Sequence, residues 1–299
     1  MKRLVVVILF CIIGIGEAQN SGNEYIQEIN RWHEQRITSL TRPDGWLSLV
    51  GLYWLKPGQN TFGSDSSNAI VFPPKAPPQI GRFILQDTTV VVEIFPGIQV
   101  QTAEGRVVTR QVLQHDLTGN PTLLLYGSLI WYIIKRGNQL GVRLKDTLAI
   151  TRLQFKGIER YPVSSRWRIP ARFVPFPQKH YIEIPTILGT VVPEPSPGQL
   201  VFRLNGQEYH LDVIQEKAGD PYFVIFSDET NGKETYGAGR FLYVAPADRN
   251  GMTVIDFNKA YNPPCTFTPY ATCPLPPPQN HIPVAIRAGE KQYQSEFHH

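Results

Sequence analysis

Apolar and polar positions follow a helical period at the start of this chain and a period of two along most of the rest. Between Glu24 and Leu40, the residues Tyr25, Ile26, Ile29, Trp32, Ile37 and Leu40 recur at helical spacing, while Glu28, Arg31, Glu34 and Gln35 take the other face. This predicts one amphipathic helix over 24–40, with its apolar stripe laid on a sheet and with Trp32 and His33 read as packing residues. Ser21-Gly22-Asn23-Glu24 has the spacing of a capping box. Thr41-Arg42-Pro43-Asp44-Gly45 reads as a stop and turn.

After Gly45 the alternation predicts strands at 46–55, 69–72, 82–86, 90–95, 106–113, 122–126, 129–135 and 140–144. Short strands separated by Pro-Gly, Asn-Pro and Arg-Gly-Asn turns suggest a β-sandwich. A weakly patterned stretch, 151–177, is expected to mark a domain boundary. Beyond it, strands are predicted at 181–184, 198–204, 207–214, 222–226, 235–244 and 252–257. The fold class expected is mostly β, with two β-rich domains and one N-terminal amphipathic helix. The boundaries are 19–45 for the helix and turn, 46–155 for the sandwich, and 156–297 for a second antiparallel β domain with a Pro-rich C-terminal strap.

Residues 1–18 are set apart from that fold. Met1-Lys2-Arg3, an apolar run from Leu4 to Ile15, and Gly16-Glu17-Ala18 form a basic start, a short apolar core and a small-residue cleavage site. The run is shorter than the about 20 residues a membrane span needs. An exported, periplasmic or extracellular protein is therefore expected, with no integral span after cleavage. Phe10 before Cys11 argues against lipid attachment, which wants a small residue there. Cleavage removes Lys2, Arg3 and Glu17, leaving 27 basic and 24 acidic groups, a net charge of +3. Such a balance, without basic runs, points away from nucleic acid as a partner. Twenty-six prolines are more than an average chain of 299 residues carries, and most fall in loops or the last third.

Motif chemistry is sparse. The chain has no Gly-x-Ser-x-Gly elbow, no phosphate loop and no His-Glu-x-x-His helix, and its histidines do not pair at metal-ligand spacing. No metal or cofactor is expected. Cys265 and Cys273, eight positions apart across a Pro-rich loop, are expected to form a disulfide, with a metal site as the alternative. One polar constellation stands out. Alternation along 235–244 puts Glu234, Tyr236 and Arg240 on one face, with Gly237 and Gly239 on the other, where something approaches the backbone closely. Asp256 and Asn258 share a face of the next strand, and Asn262 follows. Arg240 is expected to pair with Asp256 or Glu234 and to border a cleft for a small polar ligand. The competing reading is a buried ion-pair network that fixes sheet register.

Two resemblances bear on this. The run Asn60-Thr61-Phe62-Gly63-Ser64, with Asn68, Ile70 and Phe72, resembles the opening of a forkhead-associated sandwich. Ser64 stands where the phosphate-binding arginine of that family belongs, so the likeness implies a scaffold without phosphopeptide binding. The segments Arg42-Pro43-Asp44-Gly45-Trp46-Leu47, 234–242, 256–265 and 273–280 resemble signatures of the bacterial family called domain of unknown function 1684, which implies no activity. The function expected is a non-catalytic extracytoplasmic small-ligand-binding or interaction protein. The alternatives are a hydrolase or lyase using Glu234 or Asp256 as general base with Arg240 as anion holder, and an envelope structural protein.

Overall fold

The computed structural model describes residues 10–294, with side chains from residue 22 onward. The expected export signal at 1–18, with Cys11, lies outside the fully described part. The chain is mostly β, with several antiparallel sheets and one long N-terminal helix, and it divides into two compact units. One unit comprises Ser39–Lys156 and Phe267–Thr272; the other comprises the chain up to Thr38, Gly157–Thr266 and Cys273–Gln294.

In the first unit two sheets close on a single core. A six-stranded sheet has the order β1-β11-β10-β9-β6-β7, built from β1 (Leu49–Trp54), β6 (Val100–Thr102), β7 (Val107–Val108), β9 (Leu124–Tyr126), β10 (Leu129–Arg136) and β11 (Gln139–Asp146). A five-stranded sheet has the order β3-β2-β4-β5-β8, built from β2 (Gly58–Gly63), β3 (Ile70–Val71), β4 (Gly81–Gln86), β5 (Thr89–Ile94) and β8 (Arg110–Leu113). Period-two alternation buries one face of each strand. Phe62 stacks on Phe83 at 4.3 Å and meets Trp131 of the opposite sheet edge-on at 5.9 Å. Val92, Val142 and Leu144 complete the contact. Opposite Val142 and Leu144, the other face of β11 carries Arg143 and Lys145, beside Tyr132 and Ile130 of β10.

In the second unit, β12 (Arg168–Pro185), β13 (Val191–Leu204), β14 (Gln207–Asp212) and β17 (Met252–Asp256) form a sheet in the order β14-β13-β12-β17. A smaller sheet joins β15 (Tyr222–Asp228) to β16 (Arg240–Val244) and, in parallel, to β18 (His281–Ile282). Leu200, Phe202, Val224, Phe226, Leu242, Ile255 and Phe257 fill the core between them. The helix α1 (Phe10–Thr41) runs through the expected cap at Ser21 and places Ile29 in the interior, while Ile26 is exposed.

Three sequence expectations are corrected. The stretch expected to be weakly structured holds most of the longest strand, β12, whose prolines at 170, 175 and 177 broke the strand signal. The strand expected at 235–244 begins only at Arg240, because 230–239 is a turn. Cys265 and Cys273 are not joined as a disulfide. The Cys265 N–H donates to Cys273 Sγ at 3.0 Å, and Tyr236 bonds the Cys265 thiol.

Candidate functional site

The six polar residues singled out by sequence fall into separate places in the second unit. Arg240 is completely buried; it donates to an Asp228 carboxylate oxygen at 2.7 Å and to the carbonyls of Ala288 and Ile286. Its partner is Asp228, which corrects the expected pairing with Glu234 or Asp256. Asp228 in turn accepts from Thr230 and from the Ile286 N–H, so this is a network that pins loops to β15. Glu234 lies at the surface, where it accepts from Nε and Nη2 of Arg287 and from the Tyr161 hydroxyl. Arg287 first and Tyr161 second hold its carboxyl below the usual range. Tyr236 turns toward Cys265.

Asp256 and Asn258 do come together, with the helix as third party. The Tyr25 hydroxyl donates to Asp256 at 3.0 Å, and Asn258 spans Tyr25 and the Ser164 carbonyl. Asn262 is buried; its N–H donates to Glu290 at 2.7 Å, and its carbonyl accepts from Arg36. Burial pushes the Glu290 carboxyl up, against the opposing charge of Arg36. Glu234, Arg240 and Asp256 line none of the clefts described below.

A different constellation has the properties of a site, and it lies in the sandwich unit. Chain geometry builds it from the turn expected at 41–45. Gly45 is required there, since a Cβ would lie 2.4 Å from the Leu40 carbonyl oxygen. Its N–H closes the turn onto the Arg42 carbonyl at 2.9 Å, and Arg42 and Asp44 bridge one another through two bonds of 3.0 and 3.1 Å. The turn delivers Trp46 over the outer face of β11, where its ring sits 5.4 Å from the Arg143 guanidinium. Lys145 reaches the Asp44 carbonyl at 2.5 Å and lies 5.5 Å from the Tyr132 ring. Ser39, Arg42, Asp44, Trp46, Tyr132 and Lys145 line a cleft of about 240 Å³.

Its charges are unequal: Asp44 lines the cleft and pairs with Arg42, while Arg143 and Lys145 share the strand face beside it. Arg143 is 3% exposed, yet the only hydrogen bond of its side chain among the described residues runs to the Thr272 hydroxyl at 3.2 Å. Its Nε is buried without a partner, and no carboxylate among the described residues lies within ion-pair distance of it. The same hydroxyl also accepts from Arg136, which is itself neutralised by Asp116. Burial lowers the Lys145 ammonium from its ordinary value, and Arg143 and Arg42 lower it further against the pull of Asp44. Two cations on one strand face, one of them unpaired and buried, make a place where an anion is strongly favoured. Period-two alternation along β11 is the sequence signal that puts Arg143 and Lys145 on one face.

The family model described as a protein of unknown function (DUF1684) matches residues 153–291. An uncharacterised protein of Haloarcula marismortui, solved by NMR, is similar at 26% identity with a TM-score of 0.41, over 50% of this chain and 81% of its own. No curated protein matches the sequence.

Proposed function

We propose that this is a non-catalytic extracytoplasmic protein, an exported member of the DUF1684 family, that binds a small anionic ligand in the cleft between Arg42, Trp46, Tyr132 and Lys145. The carrying observation is Arg143: a buried guanidinium with one hydroxyl for company, next to an ammonium depressed by its surroundings. A carboxylate or phosphate in the cleft would meet Lys145 directly and, since Arg143 lies beside Trp46 and does not itself line the cleft, would offset the Arg143 charge at longer range. Export rests on the N-terminal signal pattern alone. The likeness of the sandwich to forkhead-associated domains remains part of the proposal, and Ser64, whose hydroxyl donates to the Ala76 carbonyl at 2.8 Å, supports a scaffold without phosphopeptide recognition. The hydrolase reading has less support, because a surface Glu234 held ionised by Arg287 is a poor base.

The reading has a pH signature. The folded Lys145 loses its proton below its ordinary value of 10.5, so the cation needed for binding is complete at low pH and disappears as pH rises through the lowered value. Titration calorimetry with phosphate, citrate and acetate should find saturable binding of at least one near neutral pH, weakening toward alkaline pH. Lys145→Arg should bind without that alkaline loss, and Lys145→Met should bind at least about tenfold more weakly, the equivalent of one charge-assisted bond. Failure of all three anions to bind would discard the proposal.

A further inference from the structure

The second unit carries a different surface feature, a run of aromatic rings crossing from the helix to the small sheet. Trp32 of α1 lies 6.4 Å from Tyr261, Tyr261 lies 6.3 Å from Tyr243 with rings nearly parallel at 16°, and Tyr243 lies 5.0 Å from Phe223. Tyr243 is 57% exposed, an unusual cost for a large ring on the edge of a folded sheet. It is also shared by two clefts of about 300 Å³ each. One is lined by Trp32, Gln35, Arg36 and Tyr261, the other by Phe223, Pro221, Gln215, Glu216 and Asp220. The exposed Tyr243 ring borders both clefts, and with Trp32, Tyr261 and Phe223 it makes an aromatic surface along them, called the groove below.

We propose that this groove binds a neutral saccharide chain. The floor offers flat apolar faces suited to the C–H faces of sugar rings, which stack on aromatic rings as other apolar groups do. The rim selects among ligands with such faces. Glu216 and Asp220 stand at one end, while Arg36 at the other is already paired with Glu290, so the rim disfavours a polyanion. The rim carboxylates accept hydrogen bonds, and a polyol presents hydroxyls that donate them. A proline-rich peptide, the other common guest of aromatic grooves, presents carbonyl acceptors that two rim carboxylates would repel. The Tyr243 and Tyr261 hydroxyls are moreover bonded to each other. The floor is also held in place. Arg36 lies 4.6 Å over the Tyr261 ring, donates to the Asn262 carbonyl at 2.9 Å and pairs with Glu290, so little ordering is left for the ligand to impose.

The test uses the full chain without its first 18 residues and four soluble probes: cellohexaose, chitohexaose, maltohexaose and decaproline. Titration calorimetry and tryptophan fluorescence should show saturable binding of at least one hexasaccharide, little changed between low and high salt. Tyr243→Ala and Trp32→Ala should each weaken it at least about tenfold, the worth of one stacked ring. Tyr181→Ala, at an exposed ring on β12 that lines neither cleft, should bind as the wild type does. The melting temperature of Tyr243→Ala checks that the fold survives. The proposal is overturned if none of the three saccharides binds at millimolar concentration, if decaproline binds in their place, or if the groove variants bind like the parent.

Discussion

Arg143 and Arg240 are both arginines removed from solvent, and the difference between them is the company each keeps. Arg240 faces Asp228 at 2.7 Å with backbone carbonyls around its other edge, whereas Arg143 has the Thr272 hydroxyl. A buried pair is costly to break because the surviving charge has nowhere to go. Arg240→Ala is therefore expected to destabilise by about 3–5 kcal/mol through the stranded Asp228 carboxylate. Arg143→Met removes a charge with no opposite number and keeps the apolar stem over Trp46, so unliganded stability should hold or rise. Urea melts of the two variants beside the parent check both signs together. Equal, large losses would mean that Arg143 has a structural counter-charge and that the anion cleft is misassigned. At this scale the sequence identified Arg240 as central but assigned the wrong carboxylate, because Asp228 and Arg240 are twelve residues apart and joined across a turn that alternation reads as a continuing strand.

Among the elements, β16 shows how local pattern and tertiary demand part company. Its expected start at Thr235 failed because Gly239 adopts a left-handed backbone, φ +91°, which ends the turn and starts the strand. The sequence reading that something approaches the backbone here holds at Gly239. A Cβ there would lie 2.3 Å from the Pro276 ring and 2.7 Å from the Phe226 carbonyl oxygen. Gly237 has nothing nearer than 3.7 Å. Gly239→Ala should then cost at least about 2 kcal/mol from backbone strain alone, with the collision against the strap added to it. Gly237→Ala should change stability by less than about 0.5 kcal/mol. Thermal unfolding of the pair distinguishes them, and similar melting temperatures would contradict the turn geometry. The strands with clean alternation, such as β4, β5, β10 and β11, were legible to within a residue or two. β2 was missed because Gly58-Gln59-Asn60-Thr61 lacks apolar alternation, and β12 because proline interrupts it. What alternation cannot convey is which strand face will be roofed, and the anion cleft depends on Trp46 and Thr272 covering the outside of β11.

For the whole molecule, the path of the chain matters more than any one element. The backbone passes from one unit to the other and back, and returns once more through Phe267–Thr272, so neither unit is a single continuous stretch. The cores are nevertheless continuous in sequence. Every fully buried member of the sandwich core lies between Phe62 and Leu144, and every member of the other core between Trp167 and Ala288. Because apolar burial is the dominant favourable term in folding, a fragment of residues 39–156 should fold cooperatively. It lacks buried Phe267 and the hydroxyls of Thr268 and Thr272, which accompany Leu49 and Arg143 in the intact chain. Losing one buried phenyl ring and its neighbours should lower stability by about 2–4 kcal/mol relative to the same unit in the full chain. The near-ultraviolet circular dichroism of Trp131, sealed among Phe62 and Phe72, should persist in the fragment, because those contacts are internal to it. Anion binding should weaken, since Arg143 keeps Trp46 but loses its Thr272 hydroxyl partner and is more readily hydrated in the unliganded state. A fragment with native-like helicity-free far-ultraviolet spectra but no fixed aromatic signal and no cooperative urea transition would show that the six residues 267–272 complete the sandwich and do not merely cover it.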